Sequence, residues 1–185
     1  MGKVFDGIDE RNAEFIRAQH LFFAATAPLG GEGHVNLSPK GLEGLAIVDP
    51  HRVAYLDLMG SGIETVAHVR ENGRIVLMFC AFEGPPRILR VHGRGEAVEP
   101  GDDAWDESVG HFPKLGDHRL VRSVVRVRVT RVADSCGFGV PLYRYEGERS
   151  QLFDWAERKD DATLERYARE YNAKSLDGLP GLSRR

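Results

Sequence analysis

Between His20 and about Val132 the apolar residues of this chain come in short runs, and turn-forming residues separate the runs. Residues 21–27, 35–37, 44–48, 53–58, 75–82 and 88–98 have strand-like length. Pro28-Leu29-Gly30-Gly31, Asp49-Pro50, Asn72-Gly73 and Gly84-Pro85-Pro86 punctuate them. Residues 119–132 alternate most clearly. Val121, Ser123, Val125, Val127 and Val129 share one face, and Arg122, Arg126 and Arg128 share the other. One helix interrupts the strands at about residues 61–71. Ser61-Gly62-Ile63-Glu64 has the spacing of a capping box, with Ser61 as N-cap. Ile63, Val66 and Ala67 then give a packing stripe, and Asn72-Gly73 closes the helix.

The flanks read as helical. Asp9 is placed to cap an opening helix whose apolar side is Ala13, Phe15 and Ile16. After Tyr145 the composition shifts: Leu152, Trp155 and Ala156 predict a short helix, and Leu164, Tyr167, Ala168 and Tyr171 a second, begun by Asp160 or Asp161. The fold expected is mainly β with flanking helices (α+β): a closed or split antiparallel barrel of six to seven strands, with a helical C-terminal region. Residues 1–145 are expected to form the barrel with its N-terminal helix, and residues 146–185 a helical extension and tail packed on the same domain. A barrel this small fills its interior with side chains, so a ligand belongs on its outside, in a cleft or at a dimer seam.

Composition narrows the classes. The 185 residues are enough for one core without metals or disulfides. A formal charge of −3 provides no basic field, which argues against nucleic acid. Cys80 and Cys136 have no CxxC spacing and suggest a reducing compartment. No leader is apparent and the run at 75–82 is too short to span a bilayer, so a cytoplasmic protein with no membrane partner is the expectation.

Three groups of residues carry candidate chemistry. The turn Gly60-Ser61-Gly62 opens a helix, where free backbone N–H groups and the positive dipole end suit a phosphate; Thr65 adds a hydroxyl one turn in. Glu64 competes with a phosphate at that end, and a plain capped turn accounts for the same residues. In Asn36-Leu37-Ser38-Pro39-Lys40-Gly41, Asn36 and Ser38 share a strand face and Lys40 follows where the strand ends. They can bond a polar heterocycle edge or a ribityl chain, and Lys40 a phosphate, although a solvated turn is the simpler alternative. The arginines Arg87, Arg90, Arg94, Arg122, Arg126 and Arg128 suit anions, but a charged outer sheet face explains them as well. The seven histidines show no metal-binding spacing, and no GxSxG elbow is present.

Together HVNLSPKG (34–41), YLDLMGSGIET (55–65), ENGRIVLMF (71–79) and RILRVHGRGEAV (87–98) resemble the pyridoxamine 5′-phosphate oxidase-like family of FMN-binding split β-barrels. The resemblance runs from about Glu14 to Arg131. GFGVPLY (137–143) and YNAKSLDGLPGL (171–182) are similar to a subgroup known only as related to those oxidases. It implies a homodimer with FMN in clefts between subunits. By position, Asn36, Leu37, Ser38, Pro39 and Lys40 would line the flavin ring and ribityl edge, with Leu58 beside them. Gly60, Ser61 and Thr65 would approach the phosphate, and Arg87 and Ile88 would face the ring. True oxidases carry an arginine-lysine pair in the phosphate turn, where this chain has Glu64 and Thr65. The implied activity is therefore a flavin-dependent oxidoreduction of an unidentified small molecule, not pyridoxamine phosphate oxidation. A deazaflavin-dependent reductase and a non-catalytic flavin- or haem-binding protein are the alternatives.

Overall fold

The alternation around residues 121–135 builds the longest strand, and the rest of the sheet is laid out from it. The computed structural model describes residues 2–183. In chain order the elements are β1 (Val4–Phe5), α1 (Glu10–Arg17), β2 (Phe22–Thr26), β3 (Asn36–Lys40), β4 (Leu45–Asp49), β5 (Arg52–Leu58), α2 (Glu64–Asn72), β6 (Arg74–Cys80), β7 (Ile88–Val98), α3 (Trp105–Val109), β8 (Val121–Ser135), α4 (Gln151–Glu157) and α5 (Asp161–Tyr171). All strand pairs are antiparallel, in the order β3-β2-β6-β7-β8-β5-β4, and the two-residue β1 adds to β8. Strands β3 and β4, neighbours in sequence, lie at opposite ends of this order and are not paired, so the barrel is split rather than closed.

The sequence pattern explains the layers. Residues facing inward from β2, β5, β6, β7 and β8 make one core, with Ala24, Tyr55, Leu77, Leu89, Val91, Val125 and Val132 all fully buried. Burying one such aliphatic side chain stabilises the fold by about 1.5–3 kcal/mol. Helix α1 begins as expected, the Asp9 carboxylate accepting the Asn12 N–H at 2.8 Å, and adds Ile16 to this core. A second cluster lies outside the sheet, where α3 and Phe112 cover Ala54, Leu56 and Val124. A third, Met59, Leu120, Ala156 and Leu164, fastens the C-terminal helices to the ends of β5 and β8. The side chain of Asp160 caps α5.

Two departures from the sequence pattern matter for the site. The pairing of β5 with β8 steps from Asp57 opposite Ser123 to Leu58 opposite Val121, leaving Arg122 as the extra residue of a β-bulge. Bulges re-aim side chains, and the Arg122 side chain is only 7% exposed instead of standing on a solvated face with Arg126 and Arg128. The outer face of β3, β2 and β6 is covered by none of the helices. Leu37, Ala25 and Val76 form one cross-strand row on it, and Pro39, Phe23 and Met78 the next. Leu37 is 60% exposed and Val35, just before β3, is 75% exposed.

Candidate functional site

The edge strand β3 turns Asn36, Ser38 and Lys40 toward the barrel and Leu37 and Pro39 away from it. Lys40 is the last residue of this strand rather than part of a turn beyond it, because residues 36–40 pair continuously with β2. The Asn36 amide donates to the hydroxyls of Thr26 (3.2 Å) and Thr65 (3.0 Å) and accepts from Ser38 (3.0 Å). Thr26 in turn lies 3.0 Å from Nδ1 of the buried His68. One amide thus ties the edge strand to β2 and to the first turn of α2. Burial holds the His68 imidazole below its ordinary pKa, outweighing the carboxylates of Asp177, Glu64 and Glu71. Its Nε2 and the hydroxyl of the fully buried Tyr55 have no hydrogen-bond partner among the described residues.

At the other end of β3, Lys40 donates to Asp57 at 3.0 Å. Asp57 is fully buried and also accepts from Arg122 (2.8 Å) and Ser123 (3.3 Å). Burial alone would raise the Asp57 carboxyl, but the guanidinium of Arg122 and the ammonium of Lys40 outweigh it and hold it well below the usual carboxylate range. Two cations share one carboxylate, so the cluster keeps one unit of positive charge. Lys40 is its most accessible member, with the side chain 21% exposed. Beside it lies a cavity of about 180 Å³, bordered by Phe22, Pro39, Lys40, Leu56, Leu58 and Leu152.

The turn 60–62 is held differently from the capping box expected. Helix α2 starts at Glu64, its N-cap is Ile63, and no side chain among the described residues caps it; Ser61 is exposed and makes no hydrogen bond among them. The reason is the C-terminal tail, which folds back over the turn as a short hairpin, with Leu182 N–H bonding to Asn172 O and Gly181 N–H to Ala173 O, each at 2.9 Å. The buried Asn172 donates to Gly60 O at 2.8 Å, and Arg122 donates to Gly60 O (3.2 Å) and Gly62 O (2.6 Å). Glu64 turns to the hairpin and accepts the Leu176 N–H at 3.2 Å. At the hairpin tip Asp177 accepts from the His34 N–H at 2.8 Å and pairs with its ring at 2.6 Å. Gly181 passes so close to Ile63 that a Cβ there would fall 2.8 Å from its side chain, which only glycine avoids.

The structure therefore gathers Asn36, Ser38, Lys40, Leu58, Gly60, Ser61 and Thr65 around the mouth of β3 and α2. Leu37 and Pro39 stand on the uncovered outer face. Arg87 and Ile88 are elsewhere in the chain: Arg87 donates to Asn12 at 2.5 Å, pairs with Asp134 at 3.4 Å and lies over the Phe15 ring, beside α1. Ile88 opposes Cys80 and Ser135. Asp57, Thr26, His68 and Asn172 are members of the network that the sequence did not single out, and Arg122, read with the arginines of a charged outer face, joins them inside the fold. Asp57 had a visible signal, since it occupies the inward position after Val53 and Tyr55 in an apolar run. The bulge at Arg122 and the return of Asn172 had none.

Among the described residues no helix is long and apolar enough to cross a membrane, and no group of three or more His, Cys, Asp or Glu is placed to hold a metal ion. Residues 8–136 match the family described as pyridoxamine 5′-phosphate oxidase. The chain is 37% identical over 195 residues to ustO, a pyridoxamine 5′-phosphate oxidase family protein of Aspergillus flavus, covering 96% of this chain and 77% of that one. Its fold is similar to HupZ of Group A Streptococcus, with TM-score 0.53 and 21% identity over 68% of this chain and 91% of that one. It is also similar to a FAD-binding protein of Mesorhizobium loti, with TM-score 0.51 and 12% identity over 72% and 96%. At those identities the two structures speak for the fold alone. The extent of the family match and the identity to the fungal relative are decisive: the chain belongs to the pyridoxamine 5′-phosphate oxidase family.

Proposed function

We propose that this protein is a homodimeric FMN-binding oxidoreductase acting on a small molecule, with the flavin held in a cleft between two copies. The observation that carries this reading is the convergence of the polar face of β3, the 60–62 turn and Thr65 beside an outer sheet face whose edge residues Leu37 and Pro39 are exposed and whose Phe23, Ala25, Val76 and Met78 are half-buried. The cavity at Lys40, about 180 Å³, is smaller than the roughly 300–1,000 Å³ of ordinary ligand pockets. A flavin there needs a second wall. The apolar rows Leu37–Ala25–Val76 and Pro39–Phe23–Met78 offer a surface for a second copy to supply one. The residual positive charge of the Lys40–Asp57–Arg122 cluster supports a phosphate. Glu64 opposes one at the helix start, so phosphate recognition falls to Lys40 and the free hydroxyl of Ser61. Asn36 and Ser38 would bond the polar edge of the ligand, and Leu58 and Pro39 would pack against it. Arg87 and Ile88, apart from this cluster in their own chain, are assigned to the flavin site of the other copy. The fold shared with a FAD-binding protein supports a flavin in this family. A bound flavin would accept the electron pair of the substrate, and the protein would orient both and exclude water.

The test compares FMN and riboflavin by fluorescence titration against the wild type, Ser61→Ala and Lys40→Ala. The wild type is expected to prefer FMN. Each variant is expected to lose about tenfold or more of that preference, since charge-assisted contacts are worth roughly 1.5–3 kcal/mol. Ser61→Ala is the cleaner variant, because Lys40→Ala also removes a partner of Asp57 and needs a folding control. No FMN binding by the wild type, or equal FMN affinity in all three proteins, overturns the reading.

A further inference from the structure

A second cavity, of about 900 Å³, lies on a different face of the barrel, between α3 and the outer surfaces of β5, β7 and β8. Its lining combines apolar residues, Val48, Pro50 and Ala54 among them, with the arginines Arg52, Arg94, Arg126 and Arg128. Strand register sets three of them, Arg52, Arg94 and Arg128, in one row that continues to Arg74 beyond the cavity. Arg74 opposes Arg94, Arg94 opposes Arg128, and Arg128 opposes Arg52, a single row across four adjacent strands. Like charges directly opposite one another destabilise a sheet, so the strand pairing itself does not favour this row.

Three of the four are partly satisfied. Arg52 pairs with Asp49 at 2.6 Å, Arg94 donates to Asn72 O at 2.7 Å, and Arg74 donates to Pro28 O at 2.9 Å. Only Asp49 among these partners is charged. The two other carboxylates of the cavity, Glu96 and Glu107, are engaged by Arg126 at 2.9 and 3.6 Å. Arg128, in the middle of the row and exposed, has no hydrogen bond or ion pair among the described residues. Neighbouring strands are about 4.8 Å apart, so the guanidinium forks of Arg94 and Arg128 can close on the same anion, each offering paired donors.

We propose that this groove is a second binding site, separate from the flavin cleft, for a phosphorylated small molecule with an aromatic or apolar body, of the nucleoside diphosphate class. Its phosphates meet Arg94 and Arg128, and its body lies against Val48, Pro50 and Ala54. The volume lies within the range of small-molecule sites. The lining has no Phe, Tyr or Trp on which successive bases of a nucleic-acid strand would stack. The apolar residues of the lining suit a compact organic ligand better than a free inorganic anion.

Calorimetric titration of the full chain at low salt tests this with three probes: ADP, adenosine and inorganic pyrophosphate. ADP is expected to bind more tightly than either part. Arg128→Gln and Arg94→Gln are each expected to weaken ADP at least tenfold, while an exposed control, Arg144→Gln, does not. Ser61→Ala is expected to leave ADP affinity unchanged, and Arg128→Gln to leave FMN affinity unchanged, so failure here is distinct from failure of the flavin reading. Three outcomes overturn the proposal: no ADP binding at roughly millimolar ligand, unchanged ADP affinity in both arginine variants, or pyrophosphate binding as tightly as ADP.

Discussion

Arg122 and Arg128 belong to one strand, β8, and the alternation of the sequence assigns them to one face, yet they end in opposite conditions. A bulge turns Arg122 into the fold, where it holds Asp57 and the carbonyls of Gly60 and Gly62. Arg128 remains in regular register, exposed, between Arg52 and Arg94, with no ion pair among the described residues. The first arginine is committed to structure; the second is free to meet something else. The same contrast separates the two cavities. The one at Lys40 is small and bounded by a network whose charges are mostly engaged with one another. The one at Arg128 is large, and one of its arginines, Arg128, makes no hydrogen bond or ion pair among the described residues.

The largest effect expected is at the buried end. Asp57→Ala leaves Arg122 and Lys40 without their shared carboxylate, and breaking a buried pair in this way costs about 3–5 kcal/mol. Urea unfolding monitored by tryptophan fluorescence measures it; a loss below about 1 kcal/mol would erase the contrast with Arg128. Acid probes the same cluster. The Asp57 carboxyl lies lower in the folded state than its ordinary value near 4. The unfolded chain therefore takes up the proton first. The contribution of Asp57 is full above about pH 4 and is lost as the pH falls from there toward the folded-state value. Urea midpoints between about pH 6 and pH 3 are expected to fall more steeply in the wild type than in Asp57→Asn; parallel curves would remove Asp57 as the cause.

Most of the fold was legible because its strands are amphipathic and their breaks are marked. Residues 88–98 form a strand with the bounds read from the pattern, and Asp9 and Asp160 cap helices as their spacing predicts. Strand β1 has only two residues and α3 only five, too short to carry a period. At the site the strand-borne residues were legible and the tail-borne ones were not. Asn36, Ser38 and Lys40 share a face by simple alternation. Ser61 looked like a cap because serine stands three residues before glutamate. A hairpin from more than a hundred residues downstream instead takes Glu64 through the Leu176 N–H and Gly60 O through Asn172. Local spacing cannot register a competitor that arrives through tertiary structure. The arginine row was hidden for a related reason. Arg52, Arg74, Arg94 and Arg128 lie on four strands, and only register brings them side by side.

The smallest effect expected is also the most discriminating. Arg128→Gln removes an exposed, unpartnered charge, and such surface substitutions usually change stability by no more than about 0.5 kcal/mol. Here the sign is informative. Relief of repulsion from Arg52 and Arg94 directly opposite can add a few tenths of a kcal/mol, so the variant is expected to be as stable as the wild type or slightly more so, in urea and at low salt. Raising the salt screens exposed charges over about 10 Å at 0.1 M and is expected to shrink the difference. A loss above about 1 kcal/mol would mean that Arg128 has a structural role like that of Arg122. A neutral or stabilising change combined with lost ADP binding would mean the reverse: the row persists against its own repulsion because a ligand supplies the charge that the fold withholds.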